Sequence, residues 1–218
     1  SFTRGDDREA VEENYRRMAA ALGVETESLT LTWQTHTVNV RKVTWEDRGK
    51  GVSRERDYRD VDGLVTDVPG ITLVTFFADC VPLYFLDPVR KAIGLSHSGW
   101  RGTAARMGQK TLEKMREEFG TDPRDVIACV GPSICGDCYE VGEEVAVVFA
   151  EEFGPRWERE ILRPGVRPGK YQLDLWKANE AVLLEAGIAP DHLHVTDICT
   201  CCNPDYLYSH RKMGEKRG

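Results

Sequence analysis

The sequence is short of several things, and each shortage narrows the field. No window approaches the roughly twenty consecutive apolar residues that a membrane-spanning helix needs. The opening residues Ser1-Phe2-Thr3-Arg4-Gly5-Asp6-Asp7 lack the apolar centre of a secretory signal. Basic charge is in deficit, with 29 Lys and Arg against 36 Asp and Glu and a formal net charge of −7. A general binder of the nucleic-acid backbone carries a basic face instead. Histidine is scarce, at five residues, too few for a trinuclear copper cluster plus a blue copper site. There is no internal repeat and no low-complexity tract. With no export signal, the seven irregularly spaced cysteines read as reduced thiols of a cytoplasmic protein.

At 218 residues, 41% hydrophobic and 30% charged, the chain fits one large globular domain, and a monomer sooner than a dimer. Asp6 or Asp7 is placed to cap a helix with Val11, Tyr15, Met18 and Leu22 on its apolar face, ended by Gly23. Leu29, Leu31 and Trp33 alternate with polar residues as a half-buried strand, delivering Gln34 and His36 to one face. Segment 45–59 has no apolar period and reads as an exposed loop, a candidate lid. Residues 71–86, rich in β-branched and aromatic side chains, read as one strand in the sheet interior, and 91–96 as the strand running back beside it. A helix is predicted over 103–119, with Gly120 ending it. The remainder alternates as strand 125–130, helix 142–153, strand 171–173, helix 174–186 and strand 192–196. The fold class is α/β with mixed sheets.

Chemistry concentrates at Ala78-Asp79-Cys80-Val81-Pro82 and His97-Ser98-Gly99-Trp100-Arg101-Gly102. Zinc favours thiolate and imidazole, and a catalytic site supplies three protein ligands with a fourth position open. His36, Cys80 and His97 each stand at or near a predicted strand end, where α/β sites gather. Their spacings match no short zinc pattern, so structural histidines and an inert thiol remain the alternative. In Ser98-Gly99-Trp100-Arg101-Gly102, the glycines permit close backbone approach, a helix start favours anions and Arg101 offers a fork for phosphate; a plain strand-to-helix connection is the alternative. Cys135-Gly136-Asp137-Cys138 is a C-x-x-C, and Cys199, Cys201 and Cys202 crowd a later strand end. Four of these five form a structural zinc site or stay ordinary thiols; the spacing does not choose. His192 and His194 read as surface or packing residues, and His210 as a tail residue able to face a ligand.

Gln34-Thr35-His36, Thr66-Asp67-Val68-Pro69-Gly70, the two segments around Cys80 and His97, Gly131-Pro132-Ser133-Ile134, Cys138-Tyr139-Glu140-Val141 and Tyr208-Ser209-His210-Arg211 follow one another in order. As a set, from about Asp6 to the C-terminus, the sequence resembles the YfiH or laccase-domain family, also called polyphenol oxidase and purine nucleoside phosphorylase. The resemblance implies a single-domain layered α/β/β/α sandwich, with a further stretch before the first helix, and one zinc held by His36, Cys80 and His97. It implies phosphorolysis of adenosine, inosine, guanosine and methylthioadenosine, with adenosine deamination at the same site. Cys80, Asp79 and His97 are then the catalytic residues, Asp79 as acid or base or as the acceptor fixing a ligand histidine. Arg101, Arg211 and Gln34 bind phosphate and substrate. The tail departs from the family's Ser-Tyr-Arg-Arg-Asp at His210, Lys212 and Met213, so contacts of that tyrosine and acid do not carry over. Two other readings stand beside it: a metal-free hydrolase that uses the same residues, with Cys80 as nucleophile and His97 as base, and a zinc-stabilised binding or redox module without turnover, with the cysteine cluster as its working part. Copper-dependent phenol oxidation is disfavoured by the histidine count.

Overall fold

The computed structural model describes Phe2 and residues 5–216. Its largest element is a six-stranded mixed sheet with strand order β11-β7-β5-β6-β3-β2, made of β2 (Val40–Lys42), β3 (Gly63–Thr66), β5 (Val81–Asp87), β6 (Ala92–Ser98), β7 (Ile127–Val130) and β11 (Leu193–Val195). The three inner pairings are antiparallel, and each edge strand joins in parallel. A second sheet of three antiparallel strands sets β10 (Lys170–Leu173) between β8 (Glu140–Gly142) and β9 (Leu162–Pro164). A parallel pair joins β1 (Leu29–Leu31) to β4 (Thr72–Val74).

Helix α1 (Arg8–Leu22) starts where the Asp7 side chain accepts the Ala10 N–H at 2.9 Å and ends at Gly23 with φ 69°. It buries Val11, Tyr15 and Ala19 over Leu29 and Leu31 of β1, while Leu22, expected on the apolar face, is exposed. Helices α3 (Met107–Phe119), α4 (Glu143–Ile161) and α5 (Leu175–Glu185) contribute Leu112, Met115, Phe149 and Leu183 to the main core with Leu83 and Phe85 of β5. Helix α4 breaks at Gly154, φ 63°, before Pro155 and then resumes; the sequence shows the break but not the resumption. No described helix is long and apolar enough to cross a membrane.

The mixed α/β class is as expected, and three local expectations are corrected. The stretch 71–86 is two strands, β4 and β5, separated by residues 75–80 because Asp79 takes a left-handed φ of 88°, a conformation that ends extended pairing. Although β5 is central in its sheet, Tyr84 and Leu86 are exposed on one face. The helix predicted over 103–119 is split by Arg106, φ 60°, into the five-residue α2 (Trp100–Ala104) and α3. Segment 45–59 is no free lid: Gly49 N–H donates to the Leu29 carbonyl at 3.1 Å and Leu31 N–H to the Lys50 carbonyl at 2.9 Å. Within it Lys50 Nζ lies 2.7 Å from Asp47, and both are buried. Val52 and Tyr58 of the segment are buried too, but they stand too far apart in the chain to make an apolar period, and a charged pair faces inward as well.

Candidate active site

The register of one hairpin assembles the site. Strands β5 and β6 run antiparallel with Val81 opposite Ser98 and Pro82 opposite His97. The residues just outside that pairing, Cys80 and Gly99, therefore meet, and a Cβ added to Gly99 would lie 3.0 Å from Cys80 Sγ and 3.2 Å from His36 Cδ2. Glycine at 99 leaves that space open. The loop after β1 brings in His36, itself at φ 65°.

Asp62, the residue before β3, shapes that loop. Its fully buried carboxylate accepts the backbone N–H groups of Thr35, His36 and Thr37 at 3.0, 3.1 and 3.0 Å, and the Thr37 hydroxyl at 3.0 Å. The same carboxylate lies 2.8 Å from His97 Nδ1, which turns the other ring nitrogen, Nε2, away from it. A single side chain thus holds one histidine ring and the backbone of the other.

The outcome is a group of three donors, His36, Cys80 and His97, whose ligand atoms all lie within 4.8 Å of one another. The two imidazole rings meet edge to face with centroids 4.9 Å apart, and Phe77 packs on His97 at 5.7 Å. Burial opposes a Cys80 thiolate, but hydrogen bonds from His36 and then His97 outweigh it and bring the thiol to about 7. Burial likewise opposes charge on His97, yet Asp62 and then Cys80 raise its imidazole to about 9. At neutral pH these values leave the His97 imidazole charged and the Cys80 thiol divided between its neutral and ionised forms. The Asp62 carboxyl lies below its usual range because His97 and the loop N–H groups overcome the cost of burial. Two imidazoles and a thiolate converging around open space suit a borderline-soft metal ion. A metal ion fits these residues.

The other predicted residues fall into distinct places. Asp79 is buried and faces the C-terminal segment, not the histidines: one oxygen accepts the Thr200 hydroxyl at 2.7 Å, the other the Arg211 N–H at 2.6 Å. The carboxylate that faces a histidine ring is that of Asp62, beside His97 Nδ1. Gln34 accepts the Phe76 N–H at 2.9 Å and donates to the Phe76 carbonyl at 2.7 Å, so its amide pins the loop before Cys80. Arg101 is exposed and stacks on Trp100 at 4.3 Å, in a helix only five residues long. Arg211, in α6 (His210–Met213), lies over the Tyr139 ring at 5.1 Å and donates to the Cys138 carbonyl at 3.3 Å. His210 is exposed on the same helix, and neither His192 nor His194 joins the donor group.

Sequence reasoning passed over Asp62 and Tyr139. Asp62 reads as the start of a short strand that a turn closes at Gly70, and nothing in it shows the carboxylate turned inward. Burial pushes the Tyr139 phenol up to about 12; Cys80 and Asp79 act in the same direction, and Arg211 and Arg101 against it. Its place in Cys138-Tyr139-Glu140-Val141 was the available signal. A cleft of about 270 Å³, lined by Phe77, Pro82, Tyr84, Thr200, Tyr206 and Tyr208 among others, opens beside the site and shares Phe77 with it.

A family model described as multi-copper polyphenol oxidoreductase laccase matches residues 1–218. The chain is 36% identical over 212 residues to "Purine nucleoside phosphorylase YlmD" of Bacillus subtilis, covering 95% of this chain and 74% of that protein. It is 34% identical over 215 residues to "Adenosine deaminase RL5" of an unknown prokaryotic organism, covering 98% and 81%. The crystal structure of the Bacillus licheniformis hypothetical protein YfiH superposes with a TM-score of 0.89 at 33% identity, covering 95% of this chain and 78% of that one.

Proposed function

The chain belongs to the multi-copper polyphenol oxidoreductase laccase family, and from that membership we propose that residues 1–218 form one catalytic domain acting on purine nucleosides. The reactions are phosphorolysis of the nucleoside and deamination of adenosine. The observation that carries this reading is the convergence of His36, Cys80 and His97. It occurs in a chain that resembles proteins named purine nucleoside phosphorylase and adenosine deaminase.

Zinc is the metal we assign to the three donors, on the strength of their mixed nitrogen and sulfur character and a fourth position left to solvent or substrate. Copper in the multicopper sense asks for more imidazole than the two histidines that share this site. When bound, the metal supplies Lewis acidity toward water or a substrate oxygen. The protein's own residues do the rest. Asp62 fixes the His97 ring and the His36 loop, as carboxylates behind ligand histidines do. Asp79 is a positioning residue, holding the N-terminus of α6 and with it Arg211. In phosphorolysis a phosphate oxygen bonds to ribose C1′ as the C1′–N9 electron pair leaves with the purine, and positive charge builds on the ribose. Arg211, with Arg101 from α2, holds the phosphate anion there, and orientation and electrostatics lower the barrier. The aromatic cleft beside Phe77 suits the flat face of a purine.

A second reading keeps the same residues without metal. Cys80, His97 and Asp62 stand in the order of a nucleophile, its base and the carboxylate behind the base, with the thiol near 7 and the imidazole near 9. One experiment separates the two. Metal content is measured by elemental analysis, then adenosine is incubated with and without phosphate. Adenine formed only with phosphate, inosine formed in both, and loss of turnover and of the metal at this site in Cys80→Ala are expected. A protein that keeps turnover after chelation and loses it on thiol alkylation belongs to the second reading.

A further inference from the structure

Away from the His36–Cys80–His97 group, two turns bring four more sulfurs together. Cys135 and Cys138 bracket a turn closed by the Cys138 N–H donating to the Cys135 carbonyl at 3.1 Å. Cys199 and Cys202 bracket a second turn of the same spacing, where the Asn203 N–H and side-chain amide both donate to the Cys199 carbonyl, at 3.1 and 2.8 Å. Backbone pairing locks the two segments side by side: Ser133 N–H donates to the Ile198 carbonyl at 3.3 Å and Thr200 N–H to the Ser133 carbonyl at 3.1 Å. The turns converge from stretches of chain some sixty residues apart.

The sulfurs of Cys135, Cys138, Cys199 and Cys202 all lie within 4.8 Å of one another, and Cys138 Sγ is 3.5 Å from Cys202 Sγ. A tetrahedral zinc with bonds of about 2.3 Å separates its sulfurs by about 3.8 Å, inside the observed range. A disulfide needs about 2.05 Å; the closest described pair is well beyond that, and all seven cysteines are free. An iron–sulfur cluster places several irons and sulfides between its thiolates, and four sulfurs this close enclose one ion. Cys201, in the second turn, is outside the group.

We propose that Cys135, Cys138, Cys199 and Cys202 hold a single tetrahedral zinc ion, a second metal centre that is structural. Four protein ligands leave no open position for chemistry. Cys199 is buried and Cys202 exposed, which gives the ion a way in from one side. Its effect on the site is indirect. Thr200, next to Cys199, donates to Asp79, and the Cys138 carbonyl receives Arg211. The ion ties together the two turns from which both contacts reach the site.

The test uses the full chain, purified under reducing conditions, with metal counted by elemental analysis. Two zinc ions per chain are expected for the parent, one for Cys80→Ala and one for Cys135→Ser/Cys138→Ser. Cobalt-reconstituted Cys80→Ala is expected to show the thiolate-to-cobalt charge-transfer bands and strong visible absorption of a tetrahedral four-sulfur site. If the serine pair does not fold, the cobalt spectrum and metal count of Cys80→Ala decide alone. Cys80→Ala without metal would overturn the proposal. So would iron in place of zinc, or four cluster thiols reacting freely with an aromatic disulfide reagent in fresh reduced protein.

Discussion

Asp62→Asn is the most informative single change, because it alters charge at nearly constant volume behind the donor group. In the parent, Oδ1 accepts from His36 N–H and faces His97 Nδ1, while Oδ2 accepts from Thr35 N–H, Thr37 N–H and the Thr37 hydroxyl. Asparagine has one acceptor oxygen, and its amide N–H₂ cannot accept. Whichever way it turns, at least two of the five contacts are lost and donors face donors. Hydrogen bonds to a charged group are worth about 1.5–3 kcal/mol each, so the folded state loses about 3 kcal/mol or more. For a chain of this size that lowers the melting temperature by about 6–12 °C. Loss of the carboxylate also frees the His97 ring, and changes of this kind behind a ligand weaken metal binding by about 10–100-fold. Competition against a chromogenic chelator reads the affinity, and calorimetry reads the melting temperature. A variant that binds metal as tightly as the parent and melts at the same temperature would refute the placement of Asp62.

Three further outcomes are expected. Gly99→Ala keeps an ordinary backbone, since φ is −74°, but its Cβ crowds Cys80 and His36; metal affinity should fall about 10-fold with a melting temperature close to the parent's, and unchanged affinity would deny the open space its role. In chelator-treated protein, alkylation of Cys80 should rise with pH through a midpoint near 7, and Asp62→Asn should move it upward because His97 loses the partner that keeps it charged; a midpoint near 8.5, the free-thiol value, would show that no imidazolium faces the sulfur. Burial works against ionised Asp47, but Lys50, then the Thr44 N–H and Arg41, hold its carboxyl below the usual range. Its contribution is therefore present above the ordinary carboxylate pKa and lost as pH falls through the folded value. Asp47→Asn should cost about 3 kcal/mol at neutral pH, with the urea-denaturation gap to the parent closing as pH falls below the ordinary carboxylate range; a gap independent of pH would refute the pairing.

The sequence by itself determined the class and the inventory. The 3.6-residue periodicity of α1 and the caps at Asp7 and Gly23 are local signals, written within a few residues of where they act. Motif order marked the segments holding His36, Cys80 and His97, because side chains that do chemistry sit in segments of distinctive composition. Tertiary structure decided how those segments meet. The register placing Val81 opposite Ser98 has no marker in either strand, yet a shift of one residue would turn His97 to the other face. Asp79, read as an acid beside a thiol, turned toward Thr200 and Arg211, because its left-handed backbone reverses the direction that strand alternation predicts. Asp62, read only as the start of a short strand, became the anchor of both histidines, because a buried carboxylate gathers whatever donors the fold brings within reach. The same holds for the sulfurs: spacing offered five cysteines, and only backbone pairing between Ser133 and Ile198–Thr200 selected four. Contacts between residues distant along the chain depend on loop paths and register, and a sequence states those only through the structure it forms.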